Sequence, residues 1–349
     1  MGARNFLLLL NGYTTCTTMT TPAANYIRKV AIVGATGNAG SYMTKALLAT
    51  GKLAVTAITR TESTAIMPAG VQVAKVDYSD PASLVAALQG QDALVITMSG
   101  RAPPDSDAKL ITAAADAGVK WVLPNEFAPD MADEVLGNEM HIGAPKRQHR
   151  ELIEKLGKSS YVAVSCGFWY EWSLALTVAY GFDFGKRTVT MFDDGETKIC
   201  TTTWPQLGLA VAKLLSLKIE PDGPDDKEPC LEMFRDKFMY MTSFVISQRD
   251  MFESVLRVTG TSEADWTITY VPSLERYNNS VAVMATDRTA FVRQMCTRLF
   301  FQDDRGNTEK TRGLSNKLLG LPRDEDLDKF TKLAIERQQM LEKIGMNMV

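Results

Sequence analysis

The segment that decides the fold runs from Lys29 to Gly40 and reads Lys29-Val30-Ala31-Ile32-Val33-Gly34-Ala35-Thr36-Gly37-Asn38-Ala39-Gly40. After the lysine it begins with four apolar residues, which predict a buried β-strand. The glycines allow a sharp turn and a close approach of the backbone to a bound group, and a helix is predicted over Ala39–Thr50. Unpaired N–H groups at the start of such a helix attract phosphate. The arrangement therefore predicts a pyrophosphate site of a dinucleotide, formed by Gly34, Thr36, Gly37, Asn38, Ala39 and Gly40.

Strand and helix patterns alternate downstream of this turn as far as Ser165. Strands are predicted at Leu53–Thr59, Val71–Val76, Ala93–Met98, Trp121–Leu123 and Tyr161–Ser165, and helices at Pro81–Gln89, Asp107–Ala117 and Pro145–Leu156. This alternation predicts an α/β fold with a Rossmann-type, doubly wound parallel sheet. After Cys166 the alternation loosens, which indicates a second, smaller, mixed α/β lobe for the substrate.

These patterns predict three regions of the chain. We expect residues 1–27 to be a disordered tail and residues 28–165 to form an NADP-binding Rossmann domain. Residues 166–349 are predicted to form the substrate-binding lobe, with the part around 187–217 packing back on the first domain. The apolar run from Phe6 to Leu10 is too short to span a membrane.

Composition and charge exclude several classes of protein. Of the 349 residues, 45% are hydrophobic and 23% are charged, as in ordinary soluble globular proteins. The net charge of -3 gives no electrostatic reason to bind nucleic acid or an anionic membrane. With only His141 and His149, and with cysteines that lack metal-ligand spacing, neither a metal site nor a Ser-His-Asp triad is expected. Scattered cysteines favour reduced thiols and a cytoplasmic location.

The end of the second predicted strand indicates which dinucleotide binds. An acid there would hydrogen-bond the ribose 2′-hydroxyl of NAD. Arg60 occupies the position instead, and a guanidinium suits a 2′-phosphate, although Glu62 lies two residues on. The predicted cofactor is therefore NADP(H).

The Tyr-x-x-x-Lys dyad of ordinary short-chain dehydrogenases is absent, because no tyrosine is followed four residues later by lysine. The alternative is Lys146, in the first turn of a predicted helix and on one face with His149 and Arg150. Desolvation beside a nicotinamide cation would lower its pKa from about 10.4 and permit proton transfer at neutral pH. A lysine that only hydrogen-bonds the ribose and holds the cofactor is equally open.

These motifs resemble those of the NmrA-like and isoflavone-reductase-like branch of the atypical short-chain dehydrogenases over residues 28–250. The shared features are the glycine turn, Pro124-Asn125-Glu126-Phe127, the Lys146…Arg150…Ile153-Glu154 spacing, Phe192-Asp193-Asp194-Gly195-Glu196 and, as in fungal oxidoreductases of secondary metabolism, Gly167-Phe168-Trp169-Tyr170-Glu171-Trp172. The resemblance implies that Lys146 lies beside the nicotinamide ring and serves in catalysis. It also implies that Asp77 and Met98-Ser99-Gly100 lie along the adenine and ribose. Pro124 and Asn125 join them as predicted cofactor-binding residues.

The substrate pocket is expected beyond the carboxyl ends of the fourth to sixth strands. The long predicted loop Asn125–Gly143 has five acids and no lysine or arginine: Glu126, Asp130, Asp133, Glu134 and Glu139. An acidic lid would favour a cationic or amine-bearing substrate, and a solvated loop is the alternative. The predicted substrate-binding residues are Phe127, Gly167, Phe168, Trp169, Tyr170 and Trp172. Their aromatic rings could stack on a flat organic molecule, or could in part be core.

Three functions are compatible with this sequence. The favoured one is an NADPH-dependent reductase of a carbonyl, imine or activated double bond in an aromatic or alkaloid-like secondary metabolite, with Lys146 supplying charge or a proton. The second is a non-redox enzyme with structural NADP, in which Glu126 promotes a Pictet–Spengler-like condensation of an amine with a carbonyl. The third is an NmrA-like regulator that senses dinucleotide. We expect a small-molecule substrate, a monomer or homodimer, and no metal, nucleic acid or membrane partner.

Overall fold

The computed structural model describes residues 25–100 and 102–345. The apolar run Phe6–Leu10 and most of the predicted tail therefore lie outside the described residues. The last residues assigned to the tail pack on the first domain: Tyr26 forms an antiparallel bridge with Lys218, and the Ile27 side chain is buried. The packed part of the chain therefore includes residues before 28.

The helices and strands have the following bounds. The strands are β1 (Lys29–Val33), β2 (Ala54–Arg60), β3 (Val71–Val76), β4 (Ala93–Ile96), β5 (Trp121–Leu123), β6 (Ser160–Ser165), β7 (Phe168–Trp169), β8 (Phe182–Asp183), β9 (Thr188–Phe192), β10 (Ile199–Thr202), β11 (Lys237–Tyr240), β12 (Phe244–Ile246) and β13 (Thr267–Val271). The α-helices are α1 (Asn38–Ala49), α2 (Pro81–Leu88), α3 (Ser106–Ala117), α4 (Glu134–Glu139), α5 (Gly143–Leu156), α6 (Tyr170–Ser173), α7 (Thr177–Tyr180), α8 (Trp204–Leu215), α9 (Gln248–Thr259), α10 (Ser273–Val283), α11 (Ala290–Arg298), α12 (Thr308–Thr311) and α13 (Leu327–Lys343).

The first domain is built on a seven-stranded sheet in the order β11-β6-β5-β4-β1-β2-β3. Every pairing in it is parallel, so the carboxyl ends of the strands lie along one edge. Helices α1 and α8 cover one face, and α2, α3 and α5 cover the other. The predicted Rossmann-type α/β fold is confirmed.

The predicted helix bounds hold to within about two residues, and α5 shows why they shift. The helix begins at Gly143, two residues before the predicted start at Pro145. A side chain at Gly143 would come within 2.6 Å of the Gly137 Cα atom, so glycine is needed where the two segments touch. Pro145 is tolerated in the first turn because its missing N–H has no intrahelical partner there.

Helix α8 attaches the middle of the chain to the first domain. It packs along α1, where Gly208 lies against the backbone of Tyr42; a Cβ at Gly208 would lie 2.5 Å from the Tyr42 carbonyl oxygen. Its start is capped by Thr203, whose hydroxyl accepts a hydrogen bond from the Gln206 N–H at 3.2 Å.

The second lobe begins where the chain leaves β6. It contains two three-stranded sheets, ordered β12-β10-β7 and β13-β9-β8, and it has its own hydrophobic core among helices α6, α7, α9, α11 and α13. This is the mixed α/β lobe that the sequence predicts. Within the described ranges, none of the helices combines the length and the apolar character needed to span a membrane.

Candidate active site

A cleft of about 480 Å³ opens at the carboxyl ends of β1, β2 and β4. The glycine turn forms one wall through Gly34, Ala35 and Thr36, and the end of β2 forms another through Ile58, Thr59 and Arg60. Met98 and Ser99, which follow β4, also line it. The cleft therefore joins residues that the sequence assigns separately to the pyrophosphate, the ribose and the adenine.

The glycine turn is shaped for a close backbone approach. Gly34 has a φ of +80°, and a Cβ there would lie 2.2 Å from the carbonyl oxygen of Thr97. A Cβ on Gly40 would lie 2.0 Å from the carbonyl oxygen of Gly34. Among the described residues no side chain caps the start of α1, where Gly37 is the N-cap. Its first N–H groups are thus available to an anion, and the turn fits a dinucleotide pyrophosphate.

The end of the cleft at β2 carries an exposed positive charge, Arg60. Arg60 and Glu62 form an ion pair at 3.3 Å, but their side chains are 71% and 69% exposed, so water screens the pair. Arg60 can therefore exchange this partner for a phosphate. Two lining residues, Tyr78 and Lys109, were missed by the sequence analysis. The position of Tyr78 directly after β3 was the available signal, since that strand also ends at the ligand edge.

The described residues that line this cleft do not include all the predicted cofactor residues; those outside the lining are Gly37, Asn38, Ala39, Gly40, Asp77, Gly100, Pro124, Asn125 and Lys146. Of these, Asp77 and Gly100 are exposed. The Asp77 carboxylate accepts hydrogen bonds from the Ser79 hydroxyl at 2.6 Å and the Ser79 N–H at 2.8 Å. These bonds lower the pKa of Asp77. The residue thus shapes the turn after β3 and leaves Tyr78 to face the cleft.

Lys146 ties α5 to the ends of β4 and β5. Its Nζ donates a hydrogen bond to the Asn125 carbonyl oxygen. The Asn125 side-chain amide in turn donates to the Met98 carbonyl oxygen at 3.0 Å. Burial lowers the pKa of Lys146, and the carboxylates of Glu126 and Asp107 partly oppose this effect. The structure therefore brings Lys146, Asn125 and Met98 together as the sequence predicts, beside the buried Pro124.

Glu126 is held in a buried ion pair. Its side chain is 1% exposed, and one carboxylate oxygen pairs with Arg150. Arg150 also donates to the Met131 carbonyl oxygen at 3.2 Å and lies 4.8 Å from the centre of the Phe238 ring. Glu126 is thus a fixed negative charge near Lys146, without exposed atoms to meet a substrate.

The acidic segment, residues 126–139, differs from the predicted solvated loop, because part of it is helical and Glu126 and Asp130 are buried. Part of it is helix α4, which Asp133 caps by accepting the Leu136 N–H at 3.0 Å. Each of its five acids pairs with an arginine: Glu126 with Arg150, Asp130 with Arg312, Asp133 with Arg305, Glu134 with Arg147 and Glu139 with Arg298. The segment therefore has no unpaired negative charge to attract a cationic substrate.

The predicted aromatic substrate residues divide into two sets. Tyr170 is fully buried in the core of the second lobe, where its hydroxyl is 2.7 Å from the Thr331 hydroxyl. Phe127 is buried in the core of the first domain. At Gly167, with φ +65°, a Cβ would lie 2.1 Å from the Cys200 carbonyl oxygen, so this glycine allows β10 to approach. These three are structural residues in this conformation, contrary to the prediction.

Phe168, Trp169 and Trp172 remain half-buried. Trp169 and Trp172 lie 6.0 and 6.1 Å from Trp204, ring centre to ring centre, and Tyr42 lies 5.9 Å from it on α1. We call Tyr42, Trp169, Trp172 and Trp204 the aromatic cluster.

A carboxyl group lies under the aromatic cluster and was missed by the sequence analysis. Glu171 is 2% exposed and accepts a hydrogen bond from the Trp204 backbone N–H at 2.9 Å. Burial raises its pKa to about 7. Its other carboxyl oxygen has no partner among the described residues. The cation of Arg337 lies 4.5 Å from the Trp204 ring centre.

Comparison with known proteins identifies relatives of both lobes. Residues 27–175 match the sequence model of the NmrA-like family. The chain is 26% identical over 272 residues to "Oxidoreductase aprR" of Aspergillus flavus, covering 74% of this chain and 82% of that protein. It shares its fold with pinoresinol-lariciresinol and phenylcoumaran benzylic ether reductases at 21% identity, covering 87% of this chain and 98% of theirs with a TM-score of 0.70. It is similar to leucoanthocyanidin reductase of Vitis vinifera, solved with NADPH, at 17% identity, 88% and 99% coverage and a TM-score of 0.68.

Proposed function

We propose that the protein is an NADPH-dependent reductase, because residues 27–175 match the sequence model of the NmrA-like family. Its substrate is an aromatic small molecule that carries a carbonyl group, an imine or an activated double bond, and this group is reduced. A fungal relative is named an oxidoreductase, and one protein of the same fold was solved with NADPH. These likenesses support reductive chemistry, and the choice of substrate class rests on the site.

The observation that carries the proposal is the position of Lys146. It lies at the ligand edge of the sheet, hydrogen-bonded to Asn125 at the end of β5, and Asn125 is bonded to Met98 at the border of the cleft. Its burial lowers the pKa of the ammonium, which makes it a stronger proton donor at neutral pH. This placement supports proton donation as well as cofactor contact.

When bound, NADPH supplies the hydride, and the chain supplies binding, charge and the proton. Gly34 and Gly40 keep side chains away from the pyrophosphate. Arg60 pairs with the 2′-phosphate in place of Glu62. Lys146 gives a proton to the atom that gains negative charge when the substrate is reduced.

The site favours an uncharged aromatic substrate over an amine. The acids that would attract a cation are all paired with arginines. Phe168, Trp169 and Trp172 follow β6 and retain exposed ring surface on which a flat molecule can stack. The condensation mechanism loses its support, because its proton donor, Glu126, is buried and ion-paired.

The proposal is tested first by measuring the binding of NADPH and NADH, and then by following deuterium from labelled NADPH into the product. We expect the purified protein to bind NADPH more tightly than NADH, and Arg60→Ala to weaken NADPH binding about 10–100-fold, as for one charged hydrogen bond, while leaving NADH binding unchanged. With aromatic quinones, enones and imines as substrates, deuterium from the C4 position of labelled NADPH should appear in the product.

Lys146→Ala should abolish turnover and leave the fold intact, with Lys155→Ala, exposed on the same helix, as the matched control. Failure to bind either dinucleotide would overturn the proposal. So would product formation without deuterium transfer, which would instead indicate a non-redox enzyme.

A further inference from the structure

We propose that Asp107 and His149 form a relay that returns a proton from solvent to Lys146 in each turnover. The relay rests on the proposed reductase function, because Lys146 must first lose its proton to a reduced substrate. The sequence places His149 on the face of Lys146, and the packing of α3 on α5 adds Asp107 to them.

The packing of α3 on α5 brings the three groups to one helix interface. Lys146 and His149 are three residues apart on α5 and therefore share one face of the helix. Helix α3 packs against α5, and Asp107 is in the first turn of α3. The Oδ1 atom of Asp107 is buried and has no hydrogen-bond partner among the described residues. A buried acceptor of this kind is costly unless a donor reaches it, and His149, on the helix that packs against α3, interacts electrostatically with Asp107.

The charged groups around Lys146 help its neutral amine to regain a proton after each turnover. Glu126 and Asp107 stabilise the ammonium, whereas burial and the neighbouring Arg150 destabilise it. The Cys166 thiol stays neutral, because burial raises its pKa to about 12. Burial therefore makes Lys146 a readier proton donor, and the two carboxylates limit this effect.

His149 responds to the charge on Lys146. Burial lowers the pKa of His149, Asp107 and Glu126 raise it, and the cations of Lys146 and Arg150 lower it. Burial in turn raises the pKa of Asp107, while His149 and Lys146 lower it. When Lys146 gives up its proton, one opposing positive charge disappears and the pKa of His149 rises. The imidazole then takes a proton from solvent at the moment when Lys146 needs one.

The proton balance is simple. The Lys146 ammonium breaks one N–H bond and gives that proton to the reduced substrate, which leaves a neutral amine. A ring nitrogen of His149 accepts a proton from a solvent water molecule, whose O–H bond breaks, and the hydroxide is released to the solvent. The imidazolium N–H bond then breaks as a new N–H bond forms on Lys146, directly or through one water molecule. The Asp107 carboxylate stabilises the imidazolium and keeps its own charge throughout.

The first test needs no cofactor and no substrate. The chain has only two histidines, so the imidazole resonances of isotope-labelled protein can be titrated by NMR, with the exposed His141 as internal control. Asp107→Asn should lower the His149 midpoint by about one pH unit, and Lys146→Met should raise it by about the same amount. If the titration midpoint of His149 is the same in both variants as in the wild type, the relay is overturned.

The second test uses turnover. His149→Gln should reduce kcat about tenfold above neutral pH, where protons are scarce, and little at lower pH. Added imidazole should restore the rate, whereas it should not rescue Lys146→Ala; His141→Gln is the matched control. An active wild type whose pH profile is unchanged in His149→Gln would overturn the relay alone. A wild type that never oxidises NADPH would overturn the reductase and the relay's role with it.

Discussion

The cofactor cleft and the acidic segment lie at the same edge of the sheet but are assembled in different ways. The cleft is made by turns at the ends of neighbouring strands, within residues 33–109. The acidic segment is neutralised by arginines at positions from 147 to 312, most of them in the second lobe. Short-range patterns therefore reveal the first region, whereas the character of the second depends on partners far away in the sequence.

The largest expected change in the free energy of unfolding follows from breaking the buried ion pair between Arg150 and Glu126. Arg150→Met should lower the free energy of unfolding by about 3–5 kcal/mol, because it leaves the Glu126 carboxylate buried without a counterion. Urea denaturation measures this value. The double variant Arg150→Met with Glu126→Gln should recover most of the loss. If the single variant is as stable as wild type, long-range pairing does not hold this region together.

A single methyl group added at Gly34 should distort the glycine turn and weaken binding in the cleft. Gly34→Ala places a Cβ 2.2 Å from the Thr97 carbonyl oxygen at a φ of +80°, so the turn must shift. Strain of about 1–3 kcal/mol corresponds to a loss of about 10–100-fold in NADPH affinity, measured by fluorescence titration. Gly100→Ala, with open space around it, is the control. Equal affinity in both variants would contradict the close-approach role of the turn.

Glu171 offers a buried carboxyl without a paired arginine, in contrast with Glu126. Its pKa rises from 4.5 to about 7 on folding, so its contribution to stability is present below pH 4.5 and is lost as the pH rises to about 7. Glu171→Gln should therefore stabilise the protein at pH 8, by about 1–3 kcal/mol, and have little effect at pH 4.5. Thermal unfolding at the two pH values measures this difference, and equal effects at both would contradict the raised pKa.

The smallest effect is expected at the exposed end of the acidic segment. Glu134 and Arg147 are 3.4 Å apart with side chains 74% and 38% exposed. Glu134→Gln should change the free energy of unfolding by less than about 1 kcal/mol, because water screens the pair. Urea denaturation beside Arg150→Met tests whether burial separates the two classes of pair. A loss as large as that of Arg150→Met would show that exposure is the wrong criterion.

Much of the fold could be predicted from sequence because its signals are local. The strand before Gly34, the proline that opens α2 behind its Asp80 cap and the glycines in the turn each act within a few residues. The family resemblance, based on the Pro124–Phe127 and Lys146–Glu154 motifs, is confirmed by the match of residues 27–175. Lys146 could be found because a helix start beside a strand end leaves few positions for a charged group.

The rest of the site depends on packing between elements that are far apart in sequence. Tyr170 and Trp169 are adjacent in a short motif, yet one is core and the other is half-buried, because the chain turns from β7 into α6 between them. The raised pKa of Glu171 arises from burial beside α8, more than thirty residues later. Asp107 and His149 become neighbours only when two helices pack.

Three arginines of the second lobe form ion pairs with acids of the segment that follows β5. Asp130, Asp133 and Glu139 lie between β5 and α5, and their counterions lie at positions 298, 305 and 312. Replacing these three arginines with uncharged residues would leave three uncompensated acids at the ligand edge, and their charge would oppose binding of the phosphates of a dinucleotide. The charge balance of the segment between β5 and α5 thus depends on residues more than 150 positions further along the chain.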